Sequence, residues 1–174
     1  SLSFMQTIRN SPAKRTLGTC VYTLRQGVQE PEVLMMYRHK EPNLGLWVAP
    51  GGKVEINESP RDCALRELEE ETGVNAKYLI SLGMIDDWLF YDFPKGFTGS
   101  KAAKGWHGQR QLWYAFRFTG KSKHIDLKAH KDIEFSDWRW GTLAEAEKLI
   151  VPFKRKVYAR VAREFARFES PEHE

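Results

Sequence analysis

Residues 52–74 constrain this chain more than any other segment, reading Gly-Lys-Val-Glu-Ile-Asn-Glu-Ser-Pro-Arg-Asp-Cys-Ala-Leu-Arg-Glu-Leu-Glu-Glu-Glu-Thr-Gly-Val. The punctuation predicts a helix with both ends fixed. Ser59 is a capping residue, Pro60 suits the first helical position, Asp62 can complete a capping-box-like pair, and Gly73 can close the helix in the left-handed conformation. Ala64, Leu65 and Leu68 supply the buried stripe. Glu67, Glu70 and Glu71 stand at i, i+3 and i+4, so three carboxylates share one helical face. Like charges at this spacing cost roughly a few tenths of a kcal/mol each, which invites a compensating cation. Oxygen-only ligation selects a hard metal, Mg²⁺ or Mn²⁺, over Zn²⁺. Glu58 can add a carboxylate from the turn before the helix, and Arg66 is placed to orient one by a forked ion pair. At Gly51-Gly52 no side chain obstructs close approach of the backbone to a metal or phosphate. A solvated acidic helix is the competing explanation for the three glutamates taken alone.

The surrounding pattern alternates between strands and helices. Runs 17–24 and 32–37 predict a hairpin, and a polar loop over 38–43 leads to a short apolar piece at 46–49 and the breaker Pro50-Gly51-Gly52. Runs 78–84, 88–93, 111–118 and 135–140 read as further strands. Residues 94–108 read as a long surface loop, a feature more often functional than idle inside a compact domain. Phe153, Val157, Val161 and Phe165 recur every four residues and predict a packed last helix. The 174 residues accommodate one mixed α/β domain over 17–170, preceded by a partly flexible extension over 1–16.

Composition narrows the setting. Apolar and charged fractions of 41% and 29% belong to a soluble globular protein, and no apolar run approaches the ~18 residues of a bilayer span. Cys20 and Cys63 are too few for a disulfide framework or a cysteine-based zinc site, which points to a reducing, cytoplasmic compartment. No secretory leader is expected. The formal charge of +4 conceals two opposed regions: residues 55–71 carry seven acidic and two basic side chains, residues 94–131 nine basic and one acidic. The second is expected to steer a polyphosphate, with Lys95, Lys101, Lys104 and Arg110 as the funnel or as ordinary solvated charges.

The 52–74 string fits G-x5-E-x7-R-E-U-x-E-E-x-G-U, with U a bulky aliphatic, at Gly52, Glu58, Arg66, Glu67, Leu68, Glu70, Glu71, Gly73 and Val74. It resembles the signature of the Nudix hydrolases. That resemblance implies an α/β/α sandwich with a mixed sheet, a loop-helix-loop metal site, and hydrolysis of a nucleoside diphosphate linked to another group. It places the metal on Glu67, Glu70 and Glu71, with the Gly52 carbonyl assisting, Glu58 in support and Arg66 beside them. The stretches Trp88 to Pro94, Trp106 to Tyr114, Glu134 to Trp140 and Phe153 to Tyr158 further resemble one branch: the asymmetric dinucleoside polyphosphate hydrolases of plants and bacteria and the bacterial RNA 5′-pyrophosphohydrolases. By that resemblance Glu134 joins the metal site from a late loop. Tyr91, Gln109 and Tyr114 lie near the phosphates or nucleoside, and Phe153 and Lys154 stack on a base and hold a phosphate.

Bland roles compete for several of these positions. Trp88, Trp113, Trp138 and Trp140 are expected in the core, and His107 as a hydrogen-bonding loop residue. Phe153 fits core packing and base stacking equally, and Arg38 a surface role and phosphate binding equally. The wording Pro50-Gly51-Gly52-Lys53-Val54-Glu55 resembles the members that cleanse nucleoside triphosphates. The expectation is therefore a Mg²⁺-dependent pyrophosphohydrolase of dinucleoside polyphosphates or 5′-triphosphate RNA ends. The alternatives are a (d)NTP or oxidised-nucleotide pyrophosphatase and, outside enzymes, an inactive nucleotide- or RNA-binding module. Neither duplex DNA nor a membrane is expected as a partner, and the oligomeric state is left open.

Overall fold

A computed structural model describes residues 14–39, 45–130 and 132–168. The expected extension lies outside the described residues as far as position 13, as does the loop from position 40 to 43. Eight strands form one mixed sheet among the described residues: β1 (Arg15–Gln26), β2 (Pro31–Arg38), β3 (Trp47–Val48), β4 (Gly51–Lys53), β5 (Leu79–Met84), β6 (Leu89–Asp92), β7 (Gly108–Phe118) and β8 (Phe135–Thr142). The order β3-β2-β1-β7-β5 forms its spine, with β4 on β1, β6 on β7 and β8 on β2. β1 and β7 run parallel from Arg15↔Gly108 to Leu24↔Arg117, and the β1–β2 hairpin is antiparallel as expected. Arg15 and Thr16, assigned to the extension by sequence, already belong to β1, because the ladder to β7 begins there. Gly51 and Gly52, read as a breaker, instead pair with Cys20 and Thr19.

Alternation along β1 decides what each face buries. Cys20, Tyr22 and Leu24 join Trp113 and Ala115 in one core, closed by α3 (Leu143–Leu149) and α4 (Arg155–Phe165) through Leu143, Ala146, Val157, Tyr158, Val161 and Phe165. Val21 joins Leu34, Met36 and Phe116 in a second core on the opposite face, closed by α1 (Pro60–Thr72) through Ala64 and Leu68. The result is the expected α/β/α sandwich. Leu68 has no exposed surface, and truncating such a leucine to alanine costs about 2–5 kcal/mol.

The ends of α1 follow the sequence. Ser59 Oγ accepts the Asp62 N–H at 3.1 Å, and Gly73 adopts φ +74° with its N–H donating to the Glu69 carbonyl. Gly73 is held to glycine twice over, since a Cβ there would also crowd the Asp126 backbone. Two helices were missed. The loop after β6 contains one turn, α2 (Ser100–Ala103), and α3 follows β8 directly. The α3 signal was present in sequence, because Thr142 and Glu145 form a complete capping box.

Candidate active site

A cavity of about 370 Å³ opens between α1, the sheet and the start of α4. Its first wall is acidic. Glu67 and Glu71 reach it from successive turns of α1, and β4 lies against them. The Gly51 N–H donates to Glu71 Oε2 at 2.9 Å. A Cβ at Gly52 would collide with the Glu67 carboxylate, so only glycine lets the strand approach the helix this closely. Burial pushes the Glu67 carboxyl up to about 7, against the pull of Arg66. Burial, followed by the nearby Glu67 charge, pushes Glu71 well above the ordinary carboxylate range.

Arg66 stands behind this wall and ties its carboxylates together. Its guanidinium donates to Glu58 at 2.6 and 3.0 Å, to Glu67 at 2.9 Å and to Glu70 at 3.2 Å. The bonds to Arg66 hold Glu58 down at about 2, and the same contacts raise Arg66 itself. Glu58 and Glu70 consequently sit beside Arg66 and do not line the cavity. Among the described residues no three His, Cys, Asp or Glu side chains are gathered into an ion-binding group. The donor chemistry nevertheless fits a hard cation: the Glu67 and Glu71 carboxylates and the Gly52 backbone bring oxygen donors to one cavity.

The second wall is aromatic and basic. Tyr91, Phe93 and Phe97 come from β6 and the loop after it, and Phe153 and Lys154 from the turn before α4. Phe153 packs at 5.6 Å from the rings of both Tyr91 and Phe97. Lys154 Nζ lies 5.0 Å from the Tyr91 ring centroid and 6.0 Å from that of Phe153, within the range of a cation–π contact. Burial holds its ammonium down to about 8. At the rim Arg38 pairs with Glu134 at 3.4 Å, and Lys101 enters from α2. The floor carries Gln109 and Gln111 of β7 together with Cys20, whose thiol burial pushes up to about 12, far from nucleophilic range.

Most of the expected site residues thus meet in one place: Gly52, Glu67 and Glu71 on one side, Tyr91, Phe153 and Lys154 on the other, with Arg38, Gln109 and Glu134 between. Tyr114 does not join them. Side chains alternate along β7, so Gln109, Gln111 and Trp113 face the cavity layer while Tyr114 is buried in the core beneath α1. Gln111 was not among the expected contacts, although that alternation marks it as the partner of Gln109. The basic loop contributes less than its charge suggested. Lys101 alone of the four expected funnel residues lines the cavity, and Arg110 lies over the Trp88 ring instead. Trp113 is wholly buried, whereas Trp88, Trp138 and Trp140 are half-buried. His107 Nδ1 accepts the Lys14 N–H at 2.8 Å, a loop role as expected.

Residues 14–161 match the NUDIX domain. The chain belongs to the Nudix family. Its relatives include the RNA pyrophosphohydrolase of Caulobacter vibrioides (strain NA1000 / CB15N), 46% identical over 138 residues that cover 77% of this chain and 79% of the relative. That of Azorhizobium caulinodans is 48% identical over 128 residues, covering 70% and 74%. Among solved structures, a binary complex of the C. elegans Ap4A hydrolase superposes with a TM-score of 0.63 at 20% identity, covering 87% of this chain and 96% of that one, a likeness of fold. The chain is a Nudix hydrolase, of a family that generally uses divalent metal ions. No helix among the described residues is long and apolar enough to cross a membrane.

Proposed function

We propose that this Nudix hydrolase cleaves a phosphoanhydride bond in a 5′-polyphosphorylated nucleotide, with triphosphorylated RNA ends as its substrate class, dinucleoside polyphosphates next, and the reducing cytoplasm as its setting. The carrying observation is the opposition, across one cavity, of buried carboxylates and an aromatic wall headed by a buried ammonium. A base stacked on the aromatic wall carries its phosphates past Lys154, Arg38 and Lys101 toward Glu67 and Glu71. The names of the relatives at 46% and 48% identity favour the RNA end.

Glu67, Glu71 and the Gly52 carbonyl, with Glu70 and Glu58 behind them, are the groups that would hold Mg²⁺ or Mn²⁺. Such an ion, when bound, supplies neutralisation of phosphate charge and an acidified water. Arg66 sets the orientation of Glu58, Glu67 and Glu70. Lys154 and Arg38 hold phosphate oxygens that do not react. Water attacks phosphorus, the anhydride P–O bond breaks, and the Glu134 carboxylate, on the cavity rim, takes the proton.

The wording around Gly51-Gly52-Lys53 favours a second reading, a (d)NTP pyrophosphatase. A Mg²⁺ panel of 5′-triphosphate RNA, diadenosine tetraphosphate, dGTP and ADP-ribose, with product analysis, separates the two. The highest kcat/KM is expected on the RNA, leaving a 5′-monophosphate. Preference for dGTP over the first two overturns the substrate class, and turnover of none of the four leaves only a binding role.

A further inference from the structure

A directional chain of hydrogen bonds runs along the cavity floor. Trp113 Nε1–H donates to Gln111 Oε1 at 3.0 Å, Gln111 Nε2 donates to Gln109 Oε1 at 2.8 Å, and Gln109 Nε2 donates to Thr16 Oγ1 at 3.3 Å. The donors are deeply placed: Trp113 has no exposed surface, and Gln111 and Gln109 are 4% and 6% exposed. An amide is nearly symmetric in shape, so packing alone does not choose which end points where. An indole nitrogen, however, only donates. Trp113 therefore fixes the Gln111 oxygen toward itself, Gln111 must then present its nitrogen to Gln109, and the Gln109 nitrogen is left at the far end of the chain, beside Thr16 and Gly18. Each link follows from the one before.

β1 supplies the bed on which this outermost amide rests. Gly18 pairs with Gln111 across the β1–β7 ladder. A Cβ at Gly18 would stand 2.6 Å from Gln109 Nε2 and 2.9 Å from the Gly52 carbonyl oxygen, so the space that Gly18 leaves open lies between the amide and the strand of the acidic wall. Gln109 Nε2 uses one hydrogen on Thr16 and keeps a second. A buried donor without a partner is costly, and a polyphosphate offers acceptors only.

We propose that Trp113 and Gln111 are positioning residues: through their directional hydrogen bonds they hold Gln109 with its free N–H toward the phosphate oxygens of the bound substrate. The inference rests on the phosphoanhydride chemistry proposed above. Its consequence is that an indole in the hydrophobic core controls substrate affinity without touching substrate. Because the amide is turned before the ligand arrives, little reorganisation is needed on binding.

A double-mutant cycle tests this on whichever panel substrate has the highest kcat/KM. Trp113→Phe keeps an aromatic ring, though a smaller one, and deletes the N–H. KM is expected to rise about tenfold, the loss of one charge-assisted hydrogen bond, with kcat within about twofold. In a Gln109→Ala background the same substitution is expected to change KM by less than about twofold, since the residue it acts through is gone. Its effect on Tm is expected to be equal in the two backgrounds, which separates positioning from packing. KM increments that multiply across the cycle, or no KM change in Trp113→Phe, overturn the inference. If Trp113→Phe does not fold, Gln111→Leu runs the same cycle with the same criteria. Absence of turnover by the wild-type protein on every panel substrate counts against the proposed function instead.

Discussion

The two walls of the cavity are built on opposite principles. The acidic wall is contiguous in sequence: Glu67 and Glu71 sit one turn apart on a single capped helix, and Gly51-Gly52 precedes it closely. The aromatic and basic wall gathers Tyr91 from β6, Phe97 and Lys101 from the following loop, and Phe153 with Lys154 from the turn before α4. Each wall disfavours its own charge, for the same reason. Burial holds Glu67 up at about 7 and Lys154 down at about 8. In the function proposed above, each is completed by a ligand of opposite sign, a cation on one side and a phosphate on the other. On that proposal the chemistry of the reaction is written locally, and the recognition of substrate is spread over the fold.

If the acidic wall carries the reaction, Glu71→Gln is the most damaging change. It keeps an oxygen for the Gly51 N–H but removes the charge. Turnover is expected to fall by about 10²–10⁴, the range of a lost catalytic carboxylate, and the Tm gain from added Mg²⁺ to vanish. A Tm response to Mg²⁺ equal to that of the wild type would remove Glu71 from the metal site. On the opposite wall, Phe153→Ala is expected to raise KM for nucleotides roughly 5- to 100-fold, the worth of one stacked base, while inhibition by inorganic tripolyphosphate stays unchanged. Equal weakening of both would assign Phe153 to packing alone.

The smallest effect concerns pH. The buried Lys154 ammonium binds its proton less tightly in the folded protein than in the unfolded chain, where its ordinary value is 10.5. The unfolded state therefore holds more protons above pH 8, and stability gains from this group as pH rises from about 8 toward 10. Below that window the full cost of burying the charge is present. Lys154→Met is expected to remove this contribution and to raise Tm by a few degrees at neutral pH. A thermal scan against pH that keeps the wild-type slope would show that Lys154 is not the group responsible.

What the sequence made legible follows the same division. The α1 caps at Ser59 and Gly73, the β1–β2 hairpin and the four-residue stripe of α4 are local signals and were readable as such. The cavity's far wall depends on register across β1, β6 and β7, which local pattern does not fix. Tyr114 illustrates the difference. The family resemblance placed it near the substrate with Gln109, yet an odd separation along β7 puts it on the other face, under α1. Gln111 shares the parity of Gln109 and does reach the cavity. The basic loop fails for a related reason: a net charge over residues 94–131 says nothing about which lysine a turn such as α2 will aim inward.

The division of labour between the walls is tested most directly by measuring kcat and KM for Glu71→Gln and Lys154→Met on one substrate at saturating Mg²⁺. The account predicts that Glu71→Gln loses kcat with KM retained, whereas Lys154→Met retains kcat and raises KM at least tenfold, the worth of about 1.4 kcal/mol of phosphate binding. Two variants that depress the same constant to a similar extent would contradict it.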